Sequence, residues 1–255
     1  MSTDAATHNG HGDDARTAAE LATASGDLLL KIREDLRSGA EPSDVRNRGD
    51  RESDDLLHEL LGERCPGDSI LSEETADSPQ RLEADRVWII DPLDGTREFG
   101  EDGRSDWAVH VALVSGGELV AGAVALPALG ITFSSDRVET APRPDGPVRV
   151  VVSRTRRPEP VLKLAEAMDA ELVEMGSAGA KAMAVVRGEV DIYAHTGGQY
   201  EWDSAAPVAV AQAAGLHVSR IDGSPLRYNQ PDPKLPDLLI CRPEYAARAL
   251  EVLNS

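Results

Sequence analysis

Residues 85–99, DRVWIIDPLDGTREF, constrain this 255-residue chain more than any other segment. Positions 86–90 read as an apolar strand that delivers Asp91 at its C-terminal end, and Pro92 is expected to stop it because proline offers no amide hydrogen to a ladder. Asp94 follows, and Gly95 permits a tight turn that aims the next amides into the same space, where Thr96 adds a hydroxyl. Two carboxylates beside a Gly-Thr amide turn supply oxygen ligands for a hard divalent cation and N–H donors for phosphate oxygens, the requirements of a metal-dependent phosphatase. For the motif alone, an acidic turn without chemistry is the plain alternative.

The rest of the chain reads as alternating helices and short strands. Residues 1–13 are small and polar without apolar periodicity and read as a flexible leader, with His8 and His11 solvated rather than metal-bound. Leu21, Leu28, Leu29, Ile32 and Leu36 mark one face of a helix capped by Asp13 or Asp14 and ended by Gly39. Leu56, Leu57, Leu60 and Leu61 mark a second helix over 50–64, closed by Pro66 and Gly67. Strands are expected at 69–71, 86–90, 107–114, 118–126 and 131–134, with Gly116 and Gly117 turning a hairpin. The three prolines of 140–147, TAPRPDGP, exclude that stretch from a sheet interior, so the chain divides into an N-terminal α+β half, 14–145, and a C-terminal α/β half, 146–255. In the second half, strands near 148–152, 171–175, 190–194 and 238–241 alternate with helices near 161–168, 178–187, 203–214 and 243–253.

With 26 basic and 45 acidic side chains, the net charge of −19 repels phosphate backbones and argues against a general nucleic-acid or anionic-membrane binder. An anionic substrate would need local help, which divalent cations give in a carboxylate-lined pocket. A hydrophobic fraction of 41% with only 4% aromatics calls for a core of aliphatic side chains. Cys65 and Cys241 make neither a disulfide framework nor a zinc pattern, and no apolar run reaches membrane-span or signal-core length, so a cytoplasmic protein is the expectation.

Three further acids stand in informative places. Glu73, in Ser72-Glu73-Glu74, follows a short strand; Asp203 begins a helix whose first turn is small, so one carboxylate oxygen can cap while the other reaches a metal; Asp50 opens the second helix. Singly, each has an ordinary explanation as surface charge or helix cap. Together with 91–96, their order and spacing resemble the inositol monophosphatase superfamily of magnesium-dependent, lithium-sensitive phosphatases, over nearly the whole chain. The runs GSAGAKAMAVVRGEVDIY at 176–193, GQYEWDSAAPVAVAQAAG at 198–215 and DGSPLRYN at 222–229 look most like its CysQ branch of 3'(2'),5'-bisphosphate nucleotidases.

The resemblance implies a layered α-β-α-β-α sandwich of α/β class with the active site between its halves. It makes Glu73, Asp91 and the Leu93 carbonyl ligands of one Mg²⁺, and Asp91, Asp94 and Asp203 ligands of a second. Asp50, with Glu73 through water, would border a third, weaker ion, and Asp50 with Thr96 would orient the attacking water. Arg48-Gly49 departs from the Thr-Ala-like approach commoner before that aspartate. A homodimer also accompanies the resemblance, on no residue pattern of its own.

The implied reaction is hydrolysis of the 3'-phosphate of adenosine 3',5'-bisphosphate, and of its sulfated form, in sulfur assimilation. Leu93, Asp94, Gly95 and Thr96 would meet the phosphate, and Ser177 and Lys181 would offer a hydroxyl and a cation to the nucleotide. The plain alternative for 176–179 is a small-residue turn that lets the helix pack closely. Arg154 is the candidate for the 5'-phosphate, Tyr200 either stacks on adenine or packs, and His110 reads as structural. An inositol or sugar phosphatase is the enzymatic alternative. A metal-dependent nucleotide sensor is the non-enzymatic one, against which Asp50 and Thr96 stand, since a binder has no use for a water-positioning pair.

Overall fold

The computed structural model describes the backbone of residues 4–255 and the side chains from Gly12 onward. Helix α1 (Asp4–Arg37) precedes α2 (Pro42–Arg64). Gly39, at φ +87°, ends α1 as expected, its amide and that of Ala40 returning to the carbonyls of Leu36 and Asp35. Helix α1 begins at Asp4, which corrects the expectation of a flexible leader for 4–13 and of a cap at Asp13 or Asp14: no proline interrupts that segment, so helical hydrogen bonding continues toward the N-terminus. Residues 1–3, and the side chains of His8 and His11, lie outside the described residues. Helix α2 also starts early. Pro42 sits in its first turn, where its missing amide hydrogen has no partner to lose, and Asp50 therefore lies inside the helix instead of opening it.

The first sheet holds β1 (Ser69–Ser72), β2 (Arg86–Asp94), β3 (Ala108–Ser115), β4 (Glu118–Leu126) and β5 (Ile131–Ser134) in that spatial order. Strand β1 runs parallel to β2, and the remaining pairs are antiparallel. Along β2, Trp88 and Ile90 enter the core with α1 and α2, while Val87 and Ile89 enter the core on the other face, which explains the unbroken apolar run. Pro92 does not stop this strand. Its pairing with β3 shifts at an irregularity, with Asp91 opposite His110 and Asp94 opposite Ala108, so proline occupies the bulge where no ladder hydrogen is required.

The second sheet has the order β7-β6-β8-β10-β9, from β6 (Arg149–Ser153), β7 (Glu171–Met175), β8 (Ile192–Tyr200), β9 (His217–Ser219) and β10 (Lys234–Cys241). Strands β8 and β10 extend well beyond the expected 190–194 and 238–241, because they pair with each other through Gly197-Gly198 and a register shift at Pro236. The segment 135–148 contains no helix or strand and joins the two sheets.

Helices α3 (Thr96–Phe99), α4 (Glu159–Ala167), α5 (Ala178–Val186), α6 (Glu201–Ala213) and α7 (Pro243–Leu253) complete the chain. Helices α1 and α2 cover one face of the first sheet, α5 and α6 lie between the sheets, and α4 and α7 cover the far face of the second, giving the expected α-β-α-β-α order. The middle layer is tight. A Cβ at Gly122 on β4 would stand 2.6 Å from the Ala209 Cβ of α6, so the alanines of that helix and this glycine together set how closely α6 approaches. That approach positions the α6 N-terminus beside the end of β2.

Candidate active site

Asp91 and Asp94 at the end of β2 and Asp203 in the first turn of α6 bring ligand oxygens within 4.8 Å of one another. Asp203 has the double role its place allows: one oxygen accepts the Tyr200 amide at 2.6 Å at the start of α6, and the other is left for the cluster. Asp91 is 1% exposed. Its Oδ1 accepts the Leu93 amide at 3.1 Å, but Oδ2 is buried without a hydrogen bond, the nearest His110 nitrogen lying 3.9 Å away. A buried carboxylate oxygen with no donor is costly in a protein interior, and an all-oxygen cluster of this kind fits a hard divalent cation.

The other acids converge on the same place. Glu73 has its carboxyl beside Asp91. Desolvation, then Asp203 and Asp94, push Glu73 up to about 7, and burial followed by Asp94 pushes Asp203 up to about 6. Burial with Glu73, Asp94 and Asp203 raises Asp91 well above the carboxylate range. Asp94 goes the other way: burial opposes its charge, yet His110, Lys181 and Ser177 hold it below that range. Its Oδ2 accepts the Ser177 hydroxyl and, at 2.7 Å, the Gly179 amide. The segment bearing Glu73 is held by Asp54 of α2, which accepts the Ser72 hydroxyl at 2.5 Å and the Thr75 hydroxyl at 2.7 Å, on either side of Glu73 and Glu74.

Asp50 projects from α2 toward Thr96. The Thr96 hydroxyl lies 3.1 Å from both Asp50 Oδ1 and the Leu93 carbonyl and, having one proton, donates to one of them at a time. Burial, then the charge of Glu74, raises Asp50 to about 6. Gly95 adopts φ +87°, a left-handed backbone that frees the following amides, as the sequence suggested.

The 176–181 turn serves packing and charge together. Ser177 caps α5 through the Ala180 amide at 2.9 Å, and a Cβ at Gly179 would fall 2.1 Å from His110 Nε2. His110 is fully buried between Asp94, 3.3 Å from its Nε2, and the Trp202 carbonyl, 3.0 Å from its Nδ1. Lys181 Nζ donates to the Ser177 carbonyl at 2.9 Å and to the Gly176 carbonyl, and burial lowers its pKa to about 8 against the pull of Asp94.

Beside the acids, Asp94, Asp203, Lys181, Arg156, Lys234 and His195 help to line a cavity of about 430 Å³. Arg154 is not among its walls. Its guanidinium binds Glu98 and Glu101, each at 2.5 Å, and thereby ties the second sheet to the first, which corrects its assignment to the 5'-phosphate. Arg156, two residues on in the same loop, is the arginine at the cavity. Tyr200 borders the cavity too, with its ring stacked on Trp202 at 4.7 Å between centroids. Sequence reasoning missed Arg156, His195 and Lys234; the basic run 154–157 was the available signal for the first.

Fold and acidic cluster together define a metal-dependent phosphatase. The chain belongs to the inositol monophosphatase family, whose family model matches residues 13–252. It is 52% identical over 255 aligned residues to the 3'-phosphoadenosine 5'-phosphate phosphatase of Mycobacterium leprae, covering 94% of this chain and 93% of that one. It is 30% identical to the 3'(2'),5'-bisphosphate nucleotidase CysQ of Escherichia coli strain K12, over 82% of this chain and 91% of that one. The crystal structure of CysQ from Bacteroides thetaiotaomicron superposes with a TM-score of 0.76 at 26% identity, covering 90% of this chain and 97% of that one. No described helix is long and apolar enough to cross a membrane.

The raised acids set a pH dependence for cation binding. Glu73, Asp50 and Asp203 hold their protons to about 7, 6 and 6 in the fold and release them near 4 when unfolded, so without metal their contribution to stability falls as pH rises from about 4 to 7. A divalent cation requires the ionised forms and removes that penalty. Saturating Mg²⁺ is therefore expected to raise the Tm by about 5–10 °C at pH 7.5 and hardly at all at pH 5. Thermal denaturation at the two pH values checks this, and an equal Mg²⁺ shift at both would contradict it.

Proposed function

We propose that this protein removes the 3'-phosphate of adenosine 3',5'-bisphosphate, giving AMP and phosphate, and acts on the sulfated form of that nucleotide as a second substrate, in sulfur assimilation. The observation that carries this reading is the acidic cluster at Asp91, Asp94 and Asp203 opening onto a cavity flanked by Arg156, Lys181 and Lys234. An acidic centre beside a basic wall suits a molecule with one phosphate to be hydrolysed and another to be gripped. The names of the relatives from Mycobacterium leprae and Escherichia coli point to the same substrate class.

Glu73, Asp91 and the Leu93 carbonyl would hold one Mg²⁺ and Asp91, Asp94 and Asp203 a second, with Asp50 and Glu73 bordering a third, weaker site. Bound there, the ions supply Lewis acidity to the phosphate oxygens and acidify the attacking water. Asp50 accepts a hydrogen bond from that water and, with Thr96, fixes its line of attack. The Gly95-Thr96 turn presents amide donors to the phosphate, and Asp94, kept ionised by its surroundings, holds the α5 turn in register. Arg156 and Lys234 receive the 5'-phosphate, and Tyr200, backed by Trp202, offers a flat surface to the base.

Initial rates of phosphate release from adenosine 3',5'-bisphosphate and from inositol 1-phosphate, at saturating Mg²⁺, test the reading. The nucleotide is expected to win by at least about a hundredfold in kcat/KM. In Arg156→Ala and Lys234→Ala the preference for the bisphosphate over adenosine 3'-monophosphate should fall about tenfold each, the size of one charge-assisted hydrogen bond. A wild-type enzyme that prefers inositol phosphate would replace this reading with the inositol one.

A further inference from the structure

The 222–229 run, DGSPLRYN, has no place in the chemistry described so far. Its last residues nevertheless lie in a buried polar network near the site, centred on Arg81. This arginine follows the segment that carries Glu73 and is 1% exposed. Its guanidinium makes four hydrogen bonds: two to the Asp77 carboxylate at 2.7 and 2.9 Å, one to Asn229 Oδ1 at 2.6 Å and one to the Gln230 carbonyl at 2.9 Å. The Asn229 side-chain amide returns a bond to the Arg81 carbonyl at 3.3 Å.

The same short strap is bonded on its other side to α6. Glu201, fully buried, accepts the Asn229 amide at 2.6 Å and the Gln230 amide at 2.8 Å, and the Tyr228 hydroxyl lies 3.2 Å from that of Ser204. Glu201 and Ser204 bracket Trp202 and Asp203 in the first turn of the helix. Asn229 has φ +57°, a left-handed conformation that asparagine tolerates better than most residues, and this lets its amide face Glu201 while its side chain faces Arg81. Two acids of the cluster from opposite halves of the chain, Glu73 and Asp203, are thus linked through one buried arginine and three residues of strap.

We propose that Arg81 and Asn229 are positioning residues for the metal centre, setting the separation of Glu73 from Asp203 across the two halves. The proposal rests on the ligand assignment given above. A buried ion pair is weak grounds for stability, since its desolvation offsets much of its attraction, whereas its fixed bonding geometry defines a register. Loosening that register weakens the centre without removing a ligand, and partners behind the ligands of a metal site change affinity by about 10–100-fold when replaced.

The test measures Mg²⁺ binding to the full chain by calorimetry without substrate, alongside the Mg²⁺ dependence of kcat and the Tm. Asn229→Gly keeps the left-handed backbone and the amide to Glu201 and deletes both side-chain bonds to Arg81, the acceptor for its guanidinium and the donor to its carbonyl; Arg81→Lys keeps the charge and loses the fork. Both are expected to weaken Mg²⁺ binding by about tenfold or more, with kcat recovering at high Mg²⁺. Leu164→Ala, in the remote core under α4, lowers the Tm while leaving Mg²⁺ binding unchanged. If Asn229→Gly and Arg81→Lys bind Mg²⁺ as the wild type does, whatever their Tm, the positioning role is overturned and the ligand assignment stands. Should Asp91→Asn also bind Mg²⁺ normally, the ligand assignment falls and the positioning role with it. Arg81→Met need not fold, and Asn229→Gly decides the question without it.

Discussion

Asp91→Asn is expected to lower Mg²⁺-dependent phosphate release about a thousandfold while leaving the protein folded. Asparagine keeps the shape of the side chain and the acceptor that receives the Leu93 amide, so the turn at Pro92 loses little. It removes the charge of the one acid proposed to face two cations at once, in a place where no solvent screens the loss. Lewis-acid stabilisation of the transition state is worth several kcal/mol, and about 4 kcal/mol corresponds to a thousandfold in rate. Without metal the variant should be at least as stable as the wild type above pH 7, because a desolvated charge surrounded by Glu73, Asp94 and Asp203 has been deleted. Phosphate release at saturating Mg²⁺, read beside thermal denaturation, checks both halves; a variant within tenfold of wild-type turnover would remove Asp91 from the centre.

Asp50→Asn is expected to cost about 10²–10⁴ in kcat, the range for a positioned general base, with KM changing far less. The residue sits on α2, outside the tight three-acid cluster, so calorimetric Mg²⁺ binding there should persist. Its pKa of about 6 without metal gives the signature. At saturating Mg²⁺, wild-type turnover should decline on the acid side as Glu73, Asp203 and Asp50 take up protons, and in the asparagine variant that decline should be shallower by the share of Asp50 while the part set by Mg²⁺ binding persists. Thr96→Ala should move turnover in the same direction by a smaller amount, since it removes the hydroxyl but leaves the carboxylate. A loss confined to KM in both variants would make the pair phosphate ligands instead of water-positioning groups.

What could be read from the chain in advance was what is local. The 85–99 run encodes its own strand, bulge and turn, and Asp203 encodes its own cap, so their side chains could be placed from a few neighbours each. The sequence puts Asp50 at a helix start because 42–55 is mostly polar and shows no apolar stripe, whereas the helix is anchored by Leu57 and Leu61 further on and extends back to Pro42. The lengths of β8 and β10 were hidden by Gly197, Gly198 and Pro236, residues that end strands unless a partner strand bends with them. Arg154 and Arg156 cannot be told apart by composition. Only the acids of α3 and the following turn, Glu98 and Glu101, decide which of them is engaged elsewhere, and those lie in the other half of the fold. The bonds from Arg81 to Asn229 and Gln230 are illegible for the same reason: each joins residues more than a hundred positions apart.

The division of the acids between β2 and α6 has a consequence for the chain as it is made. At roughly 5–20 residues per second, a ribosome takes about 5–20 s to proceed from Asp94 to Asp203. During that interval the nascent protein carries acids from the first half alone, with no closed cage that could trap an ion before its neighbours are in place. The three-acid cluster forms only when α6 packs between the two sheets, so on the proposed ligand set a late piece of the interior would also complete the metal centre. On the proposed ligand set, a chain cut short before Glu201 would lack Asp203 and with it the acid that closes the cluster.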